Sequence, residues 1–209
     1  MYKTVLKLQN IVTRKGSSKI LTFSSPHVFK ALQMLSKQKY VSRVSFCNEL
    51  HIGEGAVRTM ITHLKQDGLV DSIRAGTFLT INGKKFAKKF SDVITSQCNI
   101  KSCNIAREKY NHVILIKNRA KIICNGMDQR DFAILYGAKS ATTLLFQNEH
   151  FVFPNESKDA LIEDFKTKET LLEKLMPQED DIIIIASSND SFVSEISAIN
   201  SALLTLATN

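Results

Sequence analysis

The fold turns on residues 41–82, VSRVSFCNELHIGEGAVRTMITHLKQDGLVDSIRAGTFLTIN. Val57, Met60, Ile61 and Leu64 recur at i, i+3, i+4 and i+7, one apolar stripe on a helical period. The spacing predicts a helix from about 54 to Gly68, where glycine suits the C-terminal cap. A short turn through His51-Ile52-Gly53 separates it from a preceding helix carrying Phe46, Cys47 and Leu50. Residues 69–73 and 77–80 alternate as two strands, with Ala75-Gly76 as the turn between them. Helix, tight turn, helix and two-stranded wing together predict a winged helix-turn-helix. Opposite the stripe lie Arg58, Thr59, Thr62 and Lys65, with Gly55, Ala56 and His63 on the flanks. Small residues that permit close approach, followed by hydrogen-bonding side chains, suit a helix laid into a DNA major groove. Arg43, Ser45 and the helix start they share are expected phosphate contacts. Arg74 at the hairpin tip is an expected contact to backbone or minor groove. A winged helix also serves as a protein-docking module, and that reading stands beside the DNA-binding one.

Charge favours nucleic acid. The chain of 209 residues carries a net +8, unevenly spread. Residues 1–109 hold 19 Lys+Arg against 6 Asp+Glu, whereas residues 110–209 hold 9 against 14. A basic half joined to an acidic half suggests a polyanion-binding module with a partner module of different function. No apolar run approaches the length of a membrane span, and the first residues have no secretory h-region, so a cytoplasmic protein without membrane contact is expected. Cys47, Cys98, Cys103 and Cys124 have neither disulfide-framework nor zinc-site spacing, and free thiols without metal or cofactor are expected.

Residues 1–23 read as a basic extension (Lys3, Lys7, Arg14, Lys15, Lys19), with a short amphipathic helix ended by Gly16-Ser17-Ser18. Its charges are expected mainly to solvate a surface, although such arms also track phosphates. The winged helix is assigned to 24–96. Ser24-Ser25-Pro26 starts its first helix, Val41 adds a short strand to the wing, and a lysine-rich helix runs from Lys84 to about Ser96. Lys84 and Lys85 are further expected DNA contacts. Residues 97–109 lose periodicity and read as a linker. Residues 110–209 read as an α+β sandwich with helices on one face of a mainly antiparallel sheet. Its expected elements are a hairpin of 112–117 with 120–124, a helix from 128 to 136 capped by Asp128, and strands at 141–146, 151–153 and 181–186. Two more helices, 170–176 and 191–206, follow from their apolar spacing, and residues 154–168 read as a polar loop.

In this half, Arg130, Asp131, Thr142 and Thr143 are candidates to hold a small anionic effector, with Arg130 as the bidentate donor. The structural alternative is that they cap, pair and form strand. No nucleophile–base–orienter set accompanies His112 or His150, so no enzyme is expected and both histidines read as structural.

The patterns GEGAVRTMITHLKQDGLV and GMDQRDFAILYGAKSATTLL…DDIIIIASS resemble an uncharacterised archaeal two-domain family over about residues 24–209. In that family an N-terminal winged helix is joined to a domain similar to the GAD insert domain of bacterial-type aspartyl-tRNA synthetases. The resemblance implies a transcription regulator and supplies no catalytic residue. The combined expectation is a regulator that binds double-stranded DNA as a homodimer, with the second half dimerising, sensing an effector, or both. The alternatives are a protein- or RNA-linked interaction module and, third, an enzyme regulated by its winged helix.

Overall fold

The computed structural model describes residues 1–13 and 21–208; Arg14, Lys15, Lys19 and the expected break at Gly16-Ser17-Ser18 lie outside them. The chain forms two compact units, Met1–Phe90 and Ser91–Asn209, of an α+β protein whose sheets are antiparallel throughout.

The first unit begins with α1, Tyr2–Ile11, whose Val5, Leu8 and Ile11 are buried. This corrects the reading of residues 1–23 as an extension outside the module. Three apolar residues on one side of a helix are enough to bring it into the core, while Lys3 and Lys7 stay at the surface. Helix α2, Ser25–Lys37, has Pro in its first turn. The Ser24 backbone N–H donates to His27 Nδ1 at 3.3 Å, so histidine takes the place that Glu or Gln usually holds in a capping box. Its core stripe Val28, Ala31, Leu32 and Leu35 is buried as the spacing predicts, and Phe29 packs edge-to-face on Phe90.

Helix α3, Arg43–Leu50, is capped by Ser42 Oγ, which accepts from the Ser45 N–H at 3.0 Å. The residue that turns the corner is not Gly53. His51 adopts the left-handed conformation (φ 52°), and Gly53 is the ordinary N-cap of α4, Glu54–Gln66. Gly68 (φ +68°) ends that helix as expected, its N–H donating to Lys65 O. Strands β1, Val70–Ile73, and β2, Gly76–Leu79, pair antiparallel, and Val41 adds the expected single bridge to Thr77. Gly76 is needed there because a Cβ would stand 2.8 Å from Val41 O. Helix α5 is Ile81–Ser91, displaced toward the N-terminus from the expected 84–96. Thr80 Oγ1 accepts from the Gly83 N–H and sets the start. The end is set by Ile94, which leaves the lysine-rich helix to begin a strand.

That strand, β3 (Ile94–Ile100), corrects the expected linker at 97–109. It is paired along its length with β4, Tyr110–Ile116, and the following residues 101–109 form the connection. The second unit's sheet has the order β3-β4-β7-β5-β6, where β5 is Ser140–Gln147, β6 His150–Val152 and β7 Asp181–Ser188. Strand β7 is central and buried along its whole length, as a strand covered on both faces must be. Val113, Leu115, Leu144, Phe146, Ile183 and Ile185 fill one side together with Leu171 and Leu175 of α7, Phe165–Leu175. Helices α6, Met127–Ile134, and α8, Ser191–Thr205, pack on the sheet through β5 and through β4 and β7 respectively. Helices therefore lie on both faces, not on one.

Three local expectations are also corrected. Residues 120–124 do not pair back on β4, because Asn118 turns left-handed (φ 48°) and a 3-10 turn, Ala120–Ile122, follows. Buried Asp181 fixes that turn, its Oδ1 accepting from the Asn118 N–H at 2.8 Å and its Oδ2 from the Gln178 N–H at 2.8 Å. Asp128 is not a cap. Asn125 Oδ1 accepts from the Met127 N–H, and Gly126 (φ +78°) is the N-cap. Leu135, expected on the apolar side of its helix, is 72 % exposed.

Candidate functional site

Helix α4 presents the candidate surface of the first unit. Val57, Met60, Ile61 and Leu64 are buried, so the opposite side must face outward. Arg58 and Thr62 are exposed there, as are Glu54 and Gly55 at the helix start. A Cβ on Gly55 would meet nothing within 4 Å. The hydroxyls of Thr59 and Thr62 donate back to Gly55 O (3.0 Å) and Arg58 O (2.9 Å), which leaves their oxygen lone pairs and methyl groups to solvent.

Arg58 is held by Glu54, Nη2 to Oε1 at 2.7 Å, one helical turn away. The hydrogen bond from Arg58 and then its charge, with a smaller contribution from Arg43, hold the Glu54 carboxyl below its usual range. Arg43, the exposed first residue of α3, is thus within electrostatic reach of the α4 start. Ser45 is occupied locally, its hydroxyl 2.8 Å from Ser42 Oγ. Lys65 reaches across to Asp71 Oδ1 of β1 at 3.1 Å. The Asp71 carboxyl is held low first by the Ser72 N–H and then by Lys65. Lys65 is therefore tied to the wing-side strand. His63 turns inward: its Nδ1 lies 2.7 Å from Ile11 O, and its ring meets Phe23 edge-on. It pins α1 to α4, whereas the sequence assigned it to an outer surface. Arg74 is exposed in the turn between β1 and β2, and Lys84 and Lys85 are exposed on α5.

Nearly all of the positive charge of the basic half falls within this unit. Residues 1–90 carry 16 Lys+Arg against 4 Asp+Glu, a net of +12. Two of those four carboxylates, Glu54 and Asp71, are the partners of Arg58 and Lys65. Sequence inspection singled out the two cations and missed both partners. The signal for the first was present as Glu and Arg at i, i+4.

The candidate residues of the second unit do not converge on a ligand. Arg130 is paired with its neighbour Asp131 at 3.1 Å on the surface. Thr142 Oγ1 donates to Ile105 O at 2.7 Å. Thr143 is buried and lies against Gly126, where a Cβ would stand 3.1 Å from Thr143 Cβ. Alternation along β5 sends the two threonines to opposite faces. Gly126 thus serves the close packing of α6 on the sheet. His112 is buried with its ring nitrogens 2.9 Å from Asn99 Oδ1 and 3.1 Å from Gln97 Oε1. His150 lies 3.5 Å from Asp159, whose carboxylate also binds Lys168. The Cys98 thiol is pushed up to about 11 by burial. Among the described residues, no group of three or more His, Cys, Asp or Glu is placed to hold a metal ion, and no helix is long and apolar enough to cross a membrane.

Residues 107–206 match the model of DUF4443, a domain of unknown function. The match falls within the second unit and leaves the first unmatched. A comparison with curated proteins finds no match. Among solved structures, the hypothetical protein PH0730 from Pyrococcus horikoshii OT3 resembles the chain with a TM-score of 0.70 over 87% of this chain and 92% of that one. At 22% identity, this is a likeness of fold.

Proposed function

We propose that the first unit is a winged helix-turn-helix that binds duplex DNA, and that the chain acts as a transcription regulator. The observation that carries the reading is the exposed side of α4, with Arg58 and Thr62 standing clear of the core, on a unit of net charge +12. An exposed hydrogen-bonding helix face on a strongly basic module is the footprint of groove readout with phosphate attraction. Arg58, Thr59 and Thr62 take the base-edge roles, and Arg43, Ser45, Lys65, Arg74, Lys84 and Lys85 the phosphate roles. His63 is left out because its ring is engaged with Ile11 and Phe23.

The second unit serves self-association on this reading, so that two copies match a two-fold operator. Exposed apolar side chains at the two ends of α7, Phe165 at its start (79 % exposed) and Met176 at its C-cap (73 %), support it. A protein- or RNA-linked interaction module is the competing class.

Electrophoretic mobility shifts of the full chain on duplex DNA, over a salt series, test the proposal. Binding that weakens steeply with salt is expected, because each phosphate contact releases counterions. No shift at low salt, or preference for RNA over duplex DNA, overturns it.

A further inference from the structure

A second basic feature lies in the first unit, away from the outer side of α4. Between α1 and α5 runs a groove of about 290 Å³ lined by Lys3, Lys7, Lys85 and Lys89, together with Phe86 and Asp67. Lys7 Nζ stands 5.5 Å from the Phe86 ring centroid. Neither α1 nor α5 contains an Asp or Glu. The four lysines therefore meet one carboxylate among the groove residues, and none of them has a carboxylate partner within ion-pair distance among the described residues.

This arrangement is unfavourable for the isolated protein. Lys3 and Lys7, and again Lys85 and Lys89, are like charges at i, i+4, a spacing that destabilises a helix. Packing α1 against the same unit then adds repulsion between the two pairs. A surface selected only for solubility would intersperse carboxylates, as the α4 side does with Glu54 and Asp71. Phosphates would relieve the repulsion, and the groove form suits a chain of anions over a single one.

We propose that the α1–α5 groove binds the sugar–phosphate backbone of duplex DNA outside the base pairs read by α4, an inference that rests on the DNA-binding reading of the first unit. Asp67 is the C-cap of α4, so the groove opens where that helix ends. The 13 residues of α4 span about 20 Å, comparable to the width of a duplex. A backbone leaving the major groove at the far end of α4 meets these lysines, while Gly55 and Arg58 near its start meet base edges. The His63–Ile11 hydrogen bond holds α1 and α4 together as one platform.

The test is fluorescence anisotropy of the full chain on specific and random duplexes across a salt series. The quadruple variant K3Q/K7Q/K85Q/K89Q is expected to lower the slope of log K against log salt by up to about 3.6, at about 0.9 per phosphate contact. Affinity for both duplexes should fall by the same factor, and the melting temperature should hold or rise as repulsion is relieved. K37Q/K39Q, at the far end of α2, should leave the slope unchanged. If the quadruple variant folds poorly, K85Q/K89Q alone should lower the slope by about 1.8. An unchanged slope in a protein that still binds DNA overturns the groove and leaves the regulator standing. So does a loss of sequence preference without a change of slope. Failure of the wild-type chain to bind duplex DNA overturns both.

Discussion

Gly55→Ala separates function from stability at the proposed DNA-reading surface. Gly55 is the second residue of α4, is exposed, and has nothing within 4 Å of where a Cβ would stand. Alanine there removes backbone freedom from the unfolded chain and has the higher helix propensity, a gain of about 0.5 kcal/mol near a helix start. For a unit the size of residues 1–90, that corresponds to a rise in melting temperature of about 2–4 °C. On the proposed reading the added methyl projects from the side of α4 that approaches the DNA closely, so duplex affinity should fall about tenfold or more, equivalent to about 1.4 kcal/mol. Paired measurements of thermal unfolding and anisotropy on one preparation check this. A protein that melts higher and binds DNA as tightly as wild type would show that nothing approaches α4 at Gly55, and the groove-reading argument would fall.

Arg58→Ala should leave thermal stability nearly unchanged, because its pair with Glu54 is on the surface, while specific duplex binding weakens more than non-specific binding in competition assays. Gly83→Ala should destabilise the first unit by on the order of 3 kcal/mol or more in urea unfolding, since its Cβ would fall 1.8 Å from Leu69 O and force α5 off the loop it caps. His27 is held down to about 4 by burial and then by Lys30. Its unfolded-state value is the higher one, so its contribution is complete above about pH 6.5 and is lost as pH falls through 4, about 1–2 kcal/mol after allowance for partial exposure. His27→Gln, which keeps the capping-box acceptor, should flatten stability in that window as read by urea midpoints at several pH values. The double variant F165S/M176S should lower self-association in sedimentation, and a wild-type chain monomeric at all concentrations would rule out the α7 surface as the dimer contact.

The helix-turn-helix segment was legible because its signals are local. One apolar stripe fixed the buried face of α4, and Gly68 marked its end. What escaped depended on partners far away in sequence. Residues 97–100 of β3 read as a polar linker because only Cys98 and Ile100 among them are buried, and the strand's identity comes from pairing with β4. Helix α1 looked like a loose arm because its apolar side has meaning only against the rest of the first unit. At 120–124, an apolar run imitated a strand, yet the acceptors Asp180 O and Asp181 Oδ1 hold the preceding backbone in a turn. The Arg130–Thr143 cluster was dense in sequence, but Arg130 and Asp131 belong to α6, while Thr142 and Thr143 alternate across β5. Neighbouring positions there are on opposite sides of a sheet, so proximity in sequence was evidence against a shared site.

The ion pairs of the first unit bear on how DNA binding would be divided among its surfaces. Arg58 and Lys65 each begin with a carboxylate partner, so contact with DNA exchanges one electrostatic partner for another and yields little net attraction. Arg58, which has the base-edge role on the proposed reading, is better suited to discriminating among sequences than to supplying affinity, because a mismatched site leaves the exchange incomplete. Attraction then comes from cations without a carboxylate partner, and Lys3, Lys7, Lys85 and Lys89 of the α1–α5 groove are such cations among the described residues. On the proposed reading the two duties are physically separate. Mutations on α4 should then alter which sequence is bound, and mutations in the α1–α5 groove how strongly any duplex is bound. A variant set in which both effects always change together would contradict that division even if the protein binds DNA.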